Sequence, residues 1–108
     1  MNKDIMQQKI AKRIAYYQFE TFPNSRLQHG VFTRHGGIST GGMESLNLSG
    51  AVPDDQDHVQ ENRRRAYGAF GRAYNELIHA RLVHGADVAV VTTADHGRII
   101  DNVDGYVT

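Results

Sequence analysis

His29-Gly30-Val31-Phe32-Thr33-Arg34-His35-Gly36-Gly37-Ile38-Ser39, continued by Ser45-Leu46-Asn47-Leu48-Ser49, is the stretch on which the reading of this chain turns. Val31 and Phe32 form a short apolar run that delivers Thr33 and Arg34 to a double-glycine turn. Gly36 and Gly37 are free to take positive φ and to bring bare backbone N–H groups close to a ligand. A guanidinium fixed beside such donors suits an anion, phosphate above all. The plainer alternative is a β-hairpin loop that carries an exposed arginine without functional consequence.

Upstream, Tyr17 and Phe19 alternate with Gln18 and Glu20, the period of a half-buried strand with the aromatic pair on its apolar side. Leu27 to Arg34 reads as the next strand, and the short Pro23-Asn24-Ser25 turn between them implies antiparallel pairing. Met6, Ile10 and Ile14 recur at four-residue spacing, which predicts a short amphipathic helix over residues 4–14. The alternative there is a frayed leader. The expected division is therefore residues 1–14 as leader or short helix and 15–108 as the body.

Downstream, Asp54 or Asp55 is placed to cap a helix over residues 55–70, with Asp57 near the positive end of its dipole. Val59, Ala66 and Phe70 share one face of it, and Gly71 sits where a C-terminal glycine belongs. Leu77 to His84 reads as a strand with Ile78, Ala80 and Leu82 on one side, and His84 continues that inward face. Gly85 breaks the run. Val88 to Val91 predicts a more fully buried strand. Thr92 to Arg98 is a turn region, Ile99-Ile100 a short strand, and residues 103–108 a strand that has barely begun. That last feature leads one to expect a fragment, or a chain that needs another piece. The fold class is α+β, an α/β-type mixed sheet of short strands with one main helix, forming an incomplete half of a larger layered domain.

With 108 residues and zero net formal charge, the chain suits one small domain and gives no electrostatic case for nucleic acid or an anionic membrane. No window is long and apolar enough to span a bilayer, and Met1 to Ile5 does not begin a signal peptide. Cysteine is absent from the sequence, which removes thiolate ligands and fits a cytoplasmic location.

Gly37 to Gly42 has the glycine spacing of a P-loop, but Met43 and Glu44 stand where Lys and Ser/Thr are needed. The order for a dinucleotide fingerprint is also missing. Arg63-Arg64-Arg65 points in successive directions around a helix and reads as a solvated face offset by Glu61. His84 is the histidine best placed for chemistry, as metal ligand or general base. Its bland alternative is an imidazole satisfied by a backbone carbonyl. His79 falls on the opposite strand face, and Ser39 and Ser45 lack a nucleophile elbow.

Taken together, H-G-V-F-T-R-H-G-G-I-S, E-S-L-N-L-S, D-D-Q-D-H-V-Q-E-N-R-R-R, R-L-V-H-G-A-D-V and D-N-V-D-G-Y-V-T, in that order, resemble the N-terminal half of one family. It is the laccase-domain, polyphenol-oxidase-like family, also called peptidoglycan editing factor or purine nucleoside phosphorylase. The resemblance covers residues 15–108. It implies a cytoplasmic enzyme with one metal, zinc in preference to copper, held by a His of Q-V-H-G, a Cys of A-D-C and a His of H-A-G-W-R. Only the first has a counterpart here, His84, and Leu82 replaces the glutamine two places before it. The resemblance makes His84 the metal ligand and, with Arg34, a catalytic residue. Arg34, Gly36, Gly37 and Asn47 become the substrate- or phosphate-binding set.

The resulting expectation is the N-terminal portion of a metal-dependent purine nucleoside phosphorylase or adenosine deaminase-like enzyme, inactive alone because two ligands are absent. Purine nucleoside and phosphate are its implied substrates, and a second copy or a C-terminal half its implied protein partner. The rival reading is a non-enzymatic phosphate- or nucleotide-binding, or assembly, module built on Arg34 and the Gly36-Gly37 loop.

Overall fold

The computed structural model describes residues 6–22 and 27–108; the expected turn at Pro23-Asn24-Ser25 lies outside the described residues. The chain forms two compact units, Met1–Gly71 and Arg72–Thr108.

The first unit opens with a strand, not the expected helix. Met6–Ala11 (β1) and Ile14–Phe19 (β2) pair antiparallel from Met6↔Phe19 to Ala11↔Ile14. The four-residue spacing of Met6, Ile10 and Ile14 is accidental, because Ile10 is exposed on β1 while Ile14 is buried on β2. The two-residue turn puts both Lys12 (φ 50°) and Arg13 (φ 69°) in the left-handed region, the geometry of a type I′ hairpin.

Val31–Phe32 (β3) adds antiparallel to β2, with Tyr16↔Phe32 and Tyr17↔Val31 in register, so the expected antiparallel pairing is present over a shorter span. The inner face of β2 is the one opposite to that expected. Ile14 and Tyr16, not Tyr17 and Phe19, are buried, and with Leu46 they make the core on which Ala11, Phe32, Leu48, Ala69 and Phe70 pack. Tyr16, Phe32 and Phe70 form a ring cluster with centroids 5.0–6.2 Å apart. Aromatic alternation gives the period of a strand but not which side faces the core.

Gln56–Gly68 (α1) is the main helix and lies within the expected 55–70. Asp55 is its N-cap, its carboxylate accepting from the Asp57 N–H at 2.8 Å. Val59 and Ala66 are buried as expected, and so is Asn62, which is wholly inaccessible.

The second unit holds two short parallel ladders. His79–Ala80 (β4) pairs with Ile99–Ile100 (β6), and Val88–Val90 (β5) pairs with Gly105–Val107 (β7). The Tyr106 hydroxyl donates to the Ile78 carbonyl at 2.7 Å, tying β7 to the approach of β4. The strand expected over Leu77 to His84 ends at Ala80, and Leu82, Val83 and His84 are exposed. Nor is β5 a buried strand: Val90 is 78% exposed, and only Val91, just past it, is buried. The strands and the single main helix make an α+β architecture.

The β1–β2 turn yields a direct prediction. Each non-glycine residue in the left-handed region costs about 1 kcal/mol, and Asn-Gly is the pair that type I′ turns prefer. Replacing Lys12-Arg13 by Asn-Gly is expected to raise the unfolding free energy by about 1 kcal/mol or more. Urea denaturation measures it, and an unchanged or lowered midpoint counts against the turn.

Candidate functional site

In the first unit, the sequence between β3 and α1 is a loop closed on itself. Thr33 anchors its start: its N–H and its hydroxyl both donate to the Ala15 carbonyl of β2, at 3.0 and 3.1 Å. The Arg34 carbonyl then accepts three bonds, from the Ser45 N–H at 2.9 Å, the Leu46 N–H at 2.8 Å and the Ser45 hydroxyl at 3.0 Å. The E-S-L-N-L segment thereby fixes the backbone of Arg34. Its side chain is exposed, and its Nε donates to the Glu44 carbonyl at 3.2 Å. The guanidinium is an exposed cation at the loop surface, tethered to the loop through its Nε.

The double glycine is dictated by close approach. Gly36 takes φ +102°, and a Cβ there would lie 2.7 Å from the Arg13 carbonyl oxygen of the hairpin turn. A Cβ on Gly37 would lie 2.1 Å from the Ser45 carbonyl oxygen and 2.5 Å from Asn62 Oδ1. Its N–H donates to the Ser45 hydroxyl at 3.3 Å, and the next, of Ile38, donates to Asn62 Oδ1 at 2.8 Å. These two donors are engaged within the fold.

Asn62 and Asp54 hold the far side of the loop. Asn62 Nδ2 donates to the Ser39 hydroxyl and to the Asn47 carbonyl, each at 2.9 Å. The Ser39 hydroxyl in turn donates to Asp54 Oδ2 at 2.6 Å, where Asn47 Nδ2 also donates at 2.9 Å. The Asn47 side-chain carbonyl accepts from the Ser49 N–H at 3.0 Å. Asn47 is thus a structural joint of the loop. The triple arginine is more than a solvated face: Arg63 Nε donates to the Leu48 carbonyl at 2.9 Å, and Arg65 Nη1 to that of Gly36 at 3.2 Å. Both Arg64 and Arg65 also pair with Glu61.

In the second unit, His84 lies on an exposed turn with φ 58°, not at the end of an inward strand face. Val83, His84 and Gly85 present three consecutive N–H groups to one carboxylate, that of Asp104. Burial pushes the Asp104 pKa up, but the N–H groups of Gly85, Val83 and His84 and the nearby His84 imidazole outweigh it and hold the carboxyl below its ordinary value. Sequence reading missed Asp104 and Asn62. Each acts on residues about twenty positions away, so no local spacing betrays it. Among the described residues, no group of three or more His, Cys, Asp or Glu side chains is gathered to hold a metal ion.

The family model of the multi-copper polyphenol oxidoreductase laccases matches residues 28–108, a span that holds both the glycine loop and the His84 turn. The chain belongs to that family. It is 42% identical over 79 residues to a purine nucleoside phosphorylase of Streptomyces coelicolor, covering 73% of this chain and 33% of that protein. The crystal structure of YlmD from Geobacillus stearothermophilus superimposes with a TM-score of 0.85 at 32% identity, covering 96% of this chain and 40% of that one. A second crystal structure, that of Bacillus licheniformis YfiH, gives a TM-score of 0.68 at 26% identity, covering 71% and 32% of the two chains. The chain spans about a third of the length of the relatives it matches in sequence. No helix among the described residues is long and apolar enough to cross a membrane.

The loop network sets an acid limit. Asn47 first, then Ser39, and less strongly the Asp55 N–H and His58, hold the Asp54 carboxyl below its ordinary value of 3.8, against the opposing effect of burial. A group with a depressed folded pKa contributes stability that is complete above the unfolded value and is lost as pH falls through the folded one. The melting temperature is therefore expected to fall as pH drops below about 3.8, and Asp54→Asn to flatten part of that fall. An acid limb identical in the two proteins would contradict the network.

Proposed function

We propose that this chain supplies the N-terminal portion, residues 15–108, of a metal-dependent purine nucleoside phosphorylase, and that it is inactive by itself. The observation that carries the reading is the 42% identity over 79 residues to a protein of that name. The names of the relatives favour phosphorolysis over adenosine deamination or an action on peptidoglycan, and a cytoplasmic location accords with such substrates.

His84 fits the role of one metal ligand. It is exposed, and its backbone is held at three successive N–H groups, so the imidazole is carried on a fixed support. The further ligands would come from outside the described residues, with zinc the preferred metal over copper. A metal bound there supplies Lewis acidity, polarising a substrate oxygen or making a bound water acidic. In the first unit, Arg34 binds phosphate or another substrate anion as an exposed guanidinium on a fixed backbone. Gly36, Gly37 and Asn47 give the loop the shape that presents it.

The second unit also leaves Val88, Val90 and Val107 exposed on one face of a parallel ladder. Parallel sheets are ordinarily covered on both faces. This surface suits a segment equivalent to the part of the relatives that this chain does not span, with a second copy as the alternative occupant.

Metal analysis of the purified chain, together with an inosine phosphorolysis assay, tests the proposal. Less than stoichiometric zinc and no turnover are expected. Stoichiometric zinc with turnover by this chain alone would overturn the claim of inactivity. Phosphate is expected to raise the melting temperature of the unaltered chain and not that of Arg34→Ala; equal shifts would remove Arg34 from the anion site.

A further inference from the structure

We propose that Asp104 is the positioning residue of the second unit: its carboxylate fills the backbone nest of Val83, His84 and Gly85 and thereby fixes the direction of the His84 imidazole. Asp104 Oδ1 accepts from the Val83 N–H at 3.0 Å and the His84 N–H at 2.8 Å, and Oδ2 accepts from the Gly85 N–H at 2.6 Å. Successive N–H groups that converge in this way form an anion-binding concavity. Here the anion is built into the chain.

Three further observations support a dedicated device. His84 holds φ 58°, an uncommon conformation for a residue with a side chain, and its own N–H is one of the three that Asp104 accepts. A Cβ on Gly85 would lie 3.3 Å from Asp104 Oδ2, a tight contact, so glycine after the histidine gives the carboxylate its closest approach. Asp104 is itself placed by its N–H, which donates to the Asp87 carbonyl at 3.0 Å immediately before the Val88↔Gly105 register of the β5–β7 ladder. Rigid sheet register is thus transmitted through one carboxylate to the turn that carries the imidazole. Asp104 bonds the backbone of His84 and not its ring, so it sets the position and direction of the Cα–Cβ bond from which the imidazole departs. The inference rests on the reading of His84 as a metal ligand, although the clamp is defined without it.

The test uses the full chain, labelled with nitrogen-15 and carbon-13, in four forms: unaltered, Asp104→Asn, Asp104→Ala and His84→Ala. In the unaltered chain, couplings across the hydrogen bonds are expected from all three nitrogens to the Asp104 carboxylate carbon, a measurement that needs no variant to fold. Asp104→Ala is expected to speed amide exchange at 83, 84 and 85 by about ten-fold or more. The Val91 N–H, which donates to the Val107 carbonyl at 2.8 Å, should stay protected and report an intact ladder. Added formate should restore the three amides of Asp104→Ala, which a general loss of structure would not allow. Asp104→Asn keeps one acceptor oxygen and should lie between. Zinc affinity, read from the His84 imidazole nitrogen shifts, is expected to weaken about ten- to hundred-fold in Asp104→Ala. His84→Ala should keep the three amides protected. Absent couplings, unchanged exchange in Asp104→Ala, or unchanged zinc affinity at His84 would each overturn the proposal. A His84 imidazole that does not respond to zinc in the unaltered chain, with the amides still protected, would instead overturn the metal reading and with it the role given to the clamp.

Discussion

The first unit depends on one buried amide. Asn62 sits on the inward face of α1 with no solvent access, and its side chain makes three hydrogen bonds: one accepted from the Ile38 N–H, two donated to Ser39 and to the Asn47 carbonyl. A buried polar group costs free energy unless it is satisfied, and it becomes a specifying contact when it is. Burial of Val59 and Ala66 on the same helix is non-directional and by itself selects no register. The amide fixes the register, because its donor and acceptor ends must meet opposite partners on two separate parts of the loop.

That constraint explains the residue types around it. Gly37 has no side chain because the Ser45 carbonyl and the Asn62 amide occupy the space where one would be. Ser39 must carry a hydroxyl because it accepts a hydrogen bond from the Asn62 amide and donates one to the Asp54 carboxylate. Asn47 joins the loop to Asp54, and Arg63 and Arg65 secure two of its carbonyls from the helix side. The loop reaches solvent at Arg34 with its backbone already fixed. The second unit solves a similar problem with a charge: Asp104 holds the turn of His84 from the register of a parallel ladder. In both units an acceptor distant in sequence fixes a short segment that carries a side chain suited to chemistry.

Much of the fold could be read from local pattern. The helix was bounded by Asp55 and by the apolar spacing of Val59, Ala66 and Phe70, and these signals act within a few residues. The antiparallel pairing around β3 and the short strand at Ile99-Ile100 were also readable. The hairpin at the start was not, because Met6, Ile10 and Ile14 fit a helical period by coincidence and Lys12-Arg13 carries none of the residues that advertise a type I′ turn. The inner face of β2 is not legible in the sequence, since Tyr16 and Tyr17 are chemically alike and only packing with Leu46 and Phe70 selects between them. The turn at His84 is hidden in the sequence because Leu82 and His84 continue an alternation that the chain abandons after Ala80. The importance of the glycine loop was readable from its composition, but not the reason for it. The network partners lie far off in sequence, and a buried asparagine within a run of charged residues gives no sign of its burial.

Native-state hydrogen exchange at the Ile38 amide tests the role of Asn62 most directly. The N–H lies in a loop between a two-residue strand and a helix, where exchange would ordinarily be fast. If the Asn62 carbonyl holds it, Ile38 exchanges as slowly as the amides of α1 and only through opening of the whole unit, and Asn62→Leu abolishes that protection. Rapid exchange at Ile38 in the unaltered chain, or protection that survives Asn62→Leu, would contradict the account.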